Sequence, residues 1–278
     1  FKVPGNTCVV AVTEHIGSYS YGAIAMNKMY NEGKVTAREA ANVMTSFGTV
    51  TIVLLMVFAN IAGITEYWTT YFILVTVVLL LLSIITVRIF PLSKIKNEYK
   101  EGVTPAPEKE YNKHILKNAW LEGVTTAQNA PGLLKIEAKQ AKSILPMLGG
   151  MMTSGVFFVI VGLLLKNYTP VISWIGYVFY PILKLAGFSD AALLTQSCAI
   201  SILDPMCVLT FIAGQELLLV SRFLVATLGV TALVFFAGFV PCALATDVPF
   251  KISHLIILWF IRVVLTILLV GLFGLIFL

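Results

Sequence analysis

Glu14 and His15 place an acid and an imidazole side by side in the run Thr13 to Tyr30 (TEHIGSYSYGAIAMNKMY), inside a chain otherwise rich in Leu, Ile, Val and Phe. Such a pair can carry a proton, bind a cation or hold a polar solute. Gly17, Ser18, Ser20 and Gly22 follow at once, and the two glycines are expected to loosen the helix and free backbone groups around Ser18 to Ser20. Successive helical residues point about 100° apart, so Glu14 and His15 are not expected to face one neighbour. A second polar set stands far down the chain, with Gln196, Ser197 and Asp204-Pro205 in QSCAISILDPM. Pro205 removes a donor and disfavours helix at the residue before it. The carbonyls it releases need an ion, a solute or a neighbouring hydroxyl. Ser46 lies in a polar notch, Thr45 to Thr49 (TSFGT), answered by Thr227, Gly229 and Thr231; small residues of this kind serve close helix packing as well as ligand contact.

Other chemistries find no support. The four cysteines stand alone without a CxxC pair, and the three histidines fall in separate segments, so no metal centre is expected. No nucleotide-binding loop, HExxH or serine-elbow pattern occurs. The chain is read as a non-enzyme without cofactor, in which the polar breaks take a small solute and a coupling Na or H ion.

The composition says what must position these residues. The chain is 58% hydrophobic and only 12% charged, with mean hydropathy +0.91. Soluble domains carry roughly 25% charged residues, so the lipid bilayer is the expected partner and solvent. About 20 apolar residues cross the hydrocarbon core as a helix. Tyr67 to Ile89, Leu145 to Leu165, Leu217 to Val240, Leu255 to Leu278 and Thr45 to Ile64 qualify, while 170–187, 191–213 and 7–30 are apolar but interrupted. The expectation is an all-α polytopic helical membrane protein of about seven or eight segments, some broken. Ionisable residues at that depth are functional by default. If residues 1–16 lie at the interface instead, Glu14 is merely wetted.

Three regions follow. Residues 1–89 form a first half, 90–143 a Lys-rich loop with an interfacial helix over 111–128, and 144–278 a second half. The +5 charge sits mostly in that loop, which marks the cytoplasmic side and gives no reason to expect nucleic acid. Gly33 is expected to end a helix, and Thr36-Ala37-Arg38-Glu39 to open the next as a capping box. Aligning Arg38 with Arg222, a shift of 184, lays Gly17-Ser18-Tyr19-Ser20 over Ser201 to Asp204. Since the positive loop places the two turns on opposite sides, the halves are read as an inverted-topology repeat, the plan of many secondary transporters. Phe1 is not a Met, and the chain is expected to be the C-terminal portion of something larger.

The run FKVPGNTCVVAVTEHIGSYSYGAIAMNKMYNEGKVTAREAANVM resembles the start of the nucleoside-recognition, or Gate, domain of YjiH-type bacterial membrane proteins. The features that carry the likeness are Phe1-Lys2-Val3-Pro4-Gly5, Gly17-Ser18, Tyr30 to Gly33 and Thr36 to Ala41. The later ISWIGYVFYPILKLAGF, ILDPM and SRFLVATLGVT resemble the same proteins' C-terminal part. Gate domains also occur in spore maturation proteins A and B and in ferrous-iron transporter B, and are related to concentrative nucleoside transporters. The resemblance implies a homo-oligomeric inverted-repeat bundle in the bacterial cytoplasmic (inner) membrane, a transporter or permease subunit for a small polar or nucleoside-like solute. The alternative it allows is a non-transporting scaffold of the spore-maturation type. One departure is that related sequences carry an Asp where Thr13-Glu14 stands.

Overall fold

Gly17 and Ser18 break the first segment in two: α1 (Cys8–Ile16) stops, and α2 (Tyr19–Asn31) starts with Ser18 extended and its hydroxyl accepting from the Ser20 amide. The two helices fold back on each other as a hairpin. The computed structural model describes residues 1–105, 115–210, 212 and 214–277, so the part of the expected interfacial helix at 111–114, with Pro107 and His114, lies outside the described residues. α3 (Ala37–Ser46), α4 (Ile52–Ile61) and α5 (Trp68–Thr86) complete the first part. α6 (Ile115–Gln128), α7 (Leu133–Tyr168), α8 (Val171–Tyr177) and α9 (Tyr180–Leu185) lead to α10 (Ala191–Ile200), α11 (Pro205–Thr210), α12 (Leu219–Thr231), α13 (Phe239–Leu244) and α14 (Ile252–Phe277). No strand occurs among the described residues.

The shift of 184 carries the first part onto the last, element by element. α1 maps to 192–200, α2 to 203–215, α3 to 221–230, α4 to 236–245 and α5 to 252–270, on top of α10 to α14 in order. Tertiary ties repeat as well. The Asn6 amide donates to the Lys34 carbonyl at 3.4 Å, and at the equivalent positions the Leu218 amide donates to Asp190 Oδ2 at 2.9 Å. Each tie joins the two ends of its hairpin segment, so both ends of α1–α2 lie together, as do both ends of α10–α11. Residues 7–30 are therefore a hairpin with its own tip, and not one continuous arm. Gly33 (φ +66°) and Gly214 (φ +80°) close the two segments, and Thr36 and Glu39 form the expected capping box.

Two expected spans are not continuous. Thr45 to Ile64 is interrupted at residues 47–51, between α3 and α4, and Leu217 to Val240 at 232–238, between α12 and α13. The reason is tertiary, because the hairpin tips supply the hydrogen bonds that a helix would otherwise make. Tyr19 N donates to Thr49 O at 3.0 Å, and the Thr49 hydroxyl donates to His15 O at 2.8 Å. In the second repeat Phe236 N donates to Ile202 O at 2.8 Å and Ala237 N to Leu203 O at 2.9 Å. Gly22, expected to loosen the backbone, lies inside α2 and breaks nothing. Two helical stretches, Thr65–Thr86 and Ile252–Phe277, are long and apolar enough to cross a membrane; α4, α10, α12 and Met152–Leu165 are shorter apolar helices.

A polar cluster joins the repeats at one end. The Asn31 amide donates to Asp247 Oδ2 at 2.8 Å, Lys100 reaches both Asn31 Oδ1 (2.8 Å) and Asp247 (3.1 Å), and Asp247 N donates to Asn27 Oδ1. The Asn31 amide and then the Lys100 ammonium hold the Asp247 carboxyl below the usual carboxylate range.

The stitch between tip and break is testable at Thr49, which is 2% exposed. Thr49→Val keeps the shape and strands the His15 carbonyl, at a cost of about 1–3 kcal/mol. The thermal midpoint of the purified protein is expected to fall accordingly; an unchanged midpoint would mean that the tip is held by something else.

Candidate functional site

The two hairpin tips and the two helix breaks meet around a cleft of about 260 Å³. Ser18 and Tyr19 come from the first tip, Asp204, Pro205 and Met206 from the second, and Val50, Thr51, Leu54 and Phe235 from the breaks and their flanks. Four polypeptide stretches distant in sequence thus share one concavity, and each arrives there because its helix stops.

Asp204 is half-buried, and its Oδ1 accepts from Met206 N at 2.7 Å. With Pro205 at the first helical position it caps α11, a local role that its side chain fills while facing the cleft. Ser20 lies behind Ser18 (Oγ to Oγ 3.4 Å) and interacts with the Tyr19 phenol and the Cys242 thiol. Tyr19 packs edge-on against Phe235 with ring centroids 5.4 Å apart, and its hydroxyl fills the space that a side chain at Gly238 would need.

Near the cleft an acid and a base are buried without pairing. Glu14 is fully buried between two glycines: a Cβ on Gly22 would overlap its carboxyl group, and one on Gly48 would sit 2.6 Å from Oε1. Neither carboxyl oxygen has a hydrogen-bond partner. Arg262, on α14, is also fully buried. Its Nε donates to Thr231 O and its Nη1 to Thr45 O, both at 2.7 Å, while Nη2 has no partner. Thr45 and Thr231 are in the last turns of α3 and α12, so one guanidinium binds the carbonyl ends of both broken helices. Helix C-termini carry partial negative charge, which makes these two ends a suitable seat for a buried cation. The hydroxyls of Ser46 and Thr227, in the same two helices, are buried without partners.

The remaining expected site residues go elsewhere. His15, as the 100° separation requires, turns away from Glu14; its Nε2 lies 3.4 Å from Thr76 Oγ1 on α5, beside an apolar cleft of about 440 Å³ that Phe1, Phe47 and Leu80 also line. Gln196 Nε2 donates to Ser173 Oγ at 2.9 Å, and Ser197 Oγ to Val208 O at 3.2 Å. Both are satisfied between α10 and its neighbours and do not line the tip cleft. Asp190 precedes α10 without a side-chain cap bond to it, and its carboxyl group takes the Leu218 amide. Sequence reasoning missed Arg262, although a lone Arg in a 26-residue apolar helix is a clear signal. It also missed Tyr19 and Thr51, whose types carry no signal without the tips that bring them to the cleft.

No family model and no solved structure matches the chain. Over 268 residues, 96% of its length, the chain is 26% identical to an uncharacterized protein of Alkalihalophilus pseudofirmus, and it spans 58% of that protein.

The close fit of Glu14 against α2 sets an expectation. Gly22→Ala should destabilise by roughly 1–3 kcal/mol, the usual cost of overpacking. Most of that loss should vanish when Glu14→Ala clears the space, as a double-mutant cycle of thermal stabilities measures. An equal loss in both backgrounds would show that Gly22 answers to something other than the carboxyl group.

Proposed function

We propose that the protein is a polytopic helical protein of the bacterial cytoplasmic membrane that acts as a secondary transporter or permease subunit for a small polar solute. The observation that carries this reading is the cleft formed by both hairpin tips, with Ser18 on one side and Asp204 on the other. α1 has nine residues, about 14 Å of helix, against about 30 Å of hydrocarbon. It therefore enters part-way and turns back, and its tip sits at depth. Irregular backbone is tolerated there where it is buried in protein or lines a cavity. Here the tips do both.

Support for an inverted repeat comes from reciprocal contacts. The end of the first hairpin, Asn31, meets Asp247 at the α13–α14 junction of the second repeat. At the α4–α5 junction of the first, a Cβ on Gly63 would lie 3.1 Å from Arg222, just past the second hairpin. Repeats that exchange contacts in this way run antiparallel, as alternating-access folds do. The Asn31, Lys100 and Asp247 cluster then belongs to the cytoplasmic face. Its volume places the cleft just under the ~300–1,000 Å³ of drug-sized ligand sites, so it suits a small solute, and a nucleoside-sized one requires the tips to part. The nucleoside-like class rests on the resemblance to Gate domains. The scaffold reading draws on Gln196 and Ser197, which donate to Ser173 Oγ and the Val208 carbonyl, but it leaves the cleft without a use.

Asp204→Asn is a clean test, since Asn caps helices as well as Asp and only the charge is lost. In proteoliposomes under an imposed ion gradient, the wild type is expected to accumulate labelled solutes from a nucleoside and small-polar panel. Asp204→Asn should alter the ion dependence, and Ser18→Leu, which fills the cleft, should abolish uptake. Unchanged coupling in Asp204→Asn would remove Asp204 from the site, and no uptake of any solute would favour the scaffold.

A further inference from the structure

Glu14 and Arg262 are both fully buried and meet the same stretch of chain, Gly48 against the Glu14 carboxyl group and Thr45 O on Arg262 Nη1, yet they do not pair. An ionised carboxylate without a donor is very costly to bury. A charged guanidinium with a free Nη2 is the natural bidentate partner for one. Two such groups left apart describe a protonated acid beside a cation that is bound to something else. That something is the pair of helix ends: Thr45 O and Thr231 O take Nη1 and Nε.

The structure assigns Glu14 as a proton-binding site and Arg262 as the positioning residue that couples it to the cleft. With the proton on Glu14, Arg262 stays on the two helix ends and holds both breaks in place. When the carboxyl O–H gives its proton to water, the carboxylate draws the guanidinium toward itself, and the carbonyls of Thr45 and Thr231 are released. The breaks carry Val50, Thr51 and Phe235 into the cleft wall, so the cleft changes with the proton. No bond other than O–H is broken. A proton fits this site better than Na because a metal cation would have to sit beside a guanidinium.

The surroundings agree. α2 meets Glu14 with Gly22 and the first break with Gly48, neither of which adds charge. α14 brings Arg262, and His15 faces Thr76. Gly48 stands between the carboxyl group and Tyr19, since a Cβ there would lie 2.6 Å from Glu14 Oε1 and 3.0 Å from Tyr19 Cβ. Tyr19 lines the cleft, so the path from acid to cleft is one residue thick.

The proposal borrows from the transporter reading only the use of the cleft, and its test needs no transported solute. The full chain in lipid bilayers is followed by infrared difference spectroscopy as pH is raised. The wild type and Asp204→Asn should both lose the high-frequency carbonyl stretch of a protonated, weakly hydrogen-bonded carboxylic acid, and Glu14→Gln should lack that band throughout. In parallel, Thr51→Cys in a Cys8→Ser background is labelled with a membrane-impermeant maleimide. Its labelling rate should change over the same pH range, should lose that dependence in Glu14→Gln, and should change at a different pH in Arg262→Lys. A band missing from both the wild type and Asp204→Asn overturns the proposal even if Glu14→Gln does not fold. So does a band that persists in Glu14→Gln, or a pH-dependent labelling rate that Glu14→Gln leaves intact. Failure to find a solute would leave these readouts standing, and their failure would leave solute binding at the cleft untouched.

Discussion

Arg262 donates to Thr45 O and Thr231 O, and with those two bonds it closes the ends of both helices that stop inside the molecule. Everything near the cleft follows from those stops. A helix that ends in the interior leaves carbonyls without partners, and each one costs about 1–3 kcal/mol if nothing answers it. The guanidinium answers from one side with a charge that suits two negative helix ends. The hairpin tips bind the breaks from the other: Tyr19 N donates to the Thr49 carbonyl in the first repeat, and in the second the carbonyls of Ile202 and Leu203 accept from Phe236 N and Ala237 N. The unwound segments are thus tied to the tips by backbone hydrogen bonds, and Val50, Thr51 and Phe235 within them line the cavity.

The scaffold is symmetric and the chemistry is not. The shift of 184 that superposes the helices sets Glu14 against Cys198, Arg262 against Val78 and Asp204 against Ser20. Cys198 and Val78 are as buried as the residues that they match, so each repeat offers an equivalent interior position and only one repeat fills it with a carboxyl or guanidinium group. A duplicated frame supplies two tips and two breaks. The acid comes from one copy and the base from the other, and their interaction therefore crosses the interface between repeats, where relative movement would be felt most.

Much of the frame was legible in the residues. Gly17-Ser18 and Asp204-Pro205 mark the tips because glycine, serine and proline each act locally on the backbone. Gly33 and the Thr36–Glu39 box work in the same way, and the 184 shift could be seen from the order of segments. The breaks at 47–51 and 232–238 were not legible, because TSFGTVT and ALVFFAG contain no residue that forbids a helix and the competing hydrogen bonds come from elsewhere in the chain. Gly22 carried a real signal that was misread; the glycine gives clearance to a carboxyl group and does not bend the helix. Arg262 was lost in the average of a helix with an 18-residue window of mean hydropathy 2.8. Gln196 and Ser197 looked available only because their partners, Ser173 and the Val208 carbonyl, are set by packing.

The central claim is that one side chain holds two distant breaks, and hydrogen–deuterium exchange on Arg262→Met reads it directly. The backbone amides of residues 47–51 and 232–238 should lose protection together, while those in the middle of α5 keep theirs. Loss in one break alone, or in neither, would contradict the claim.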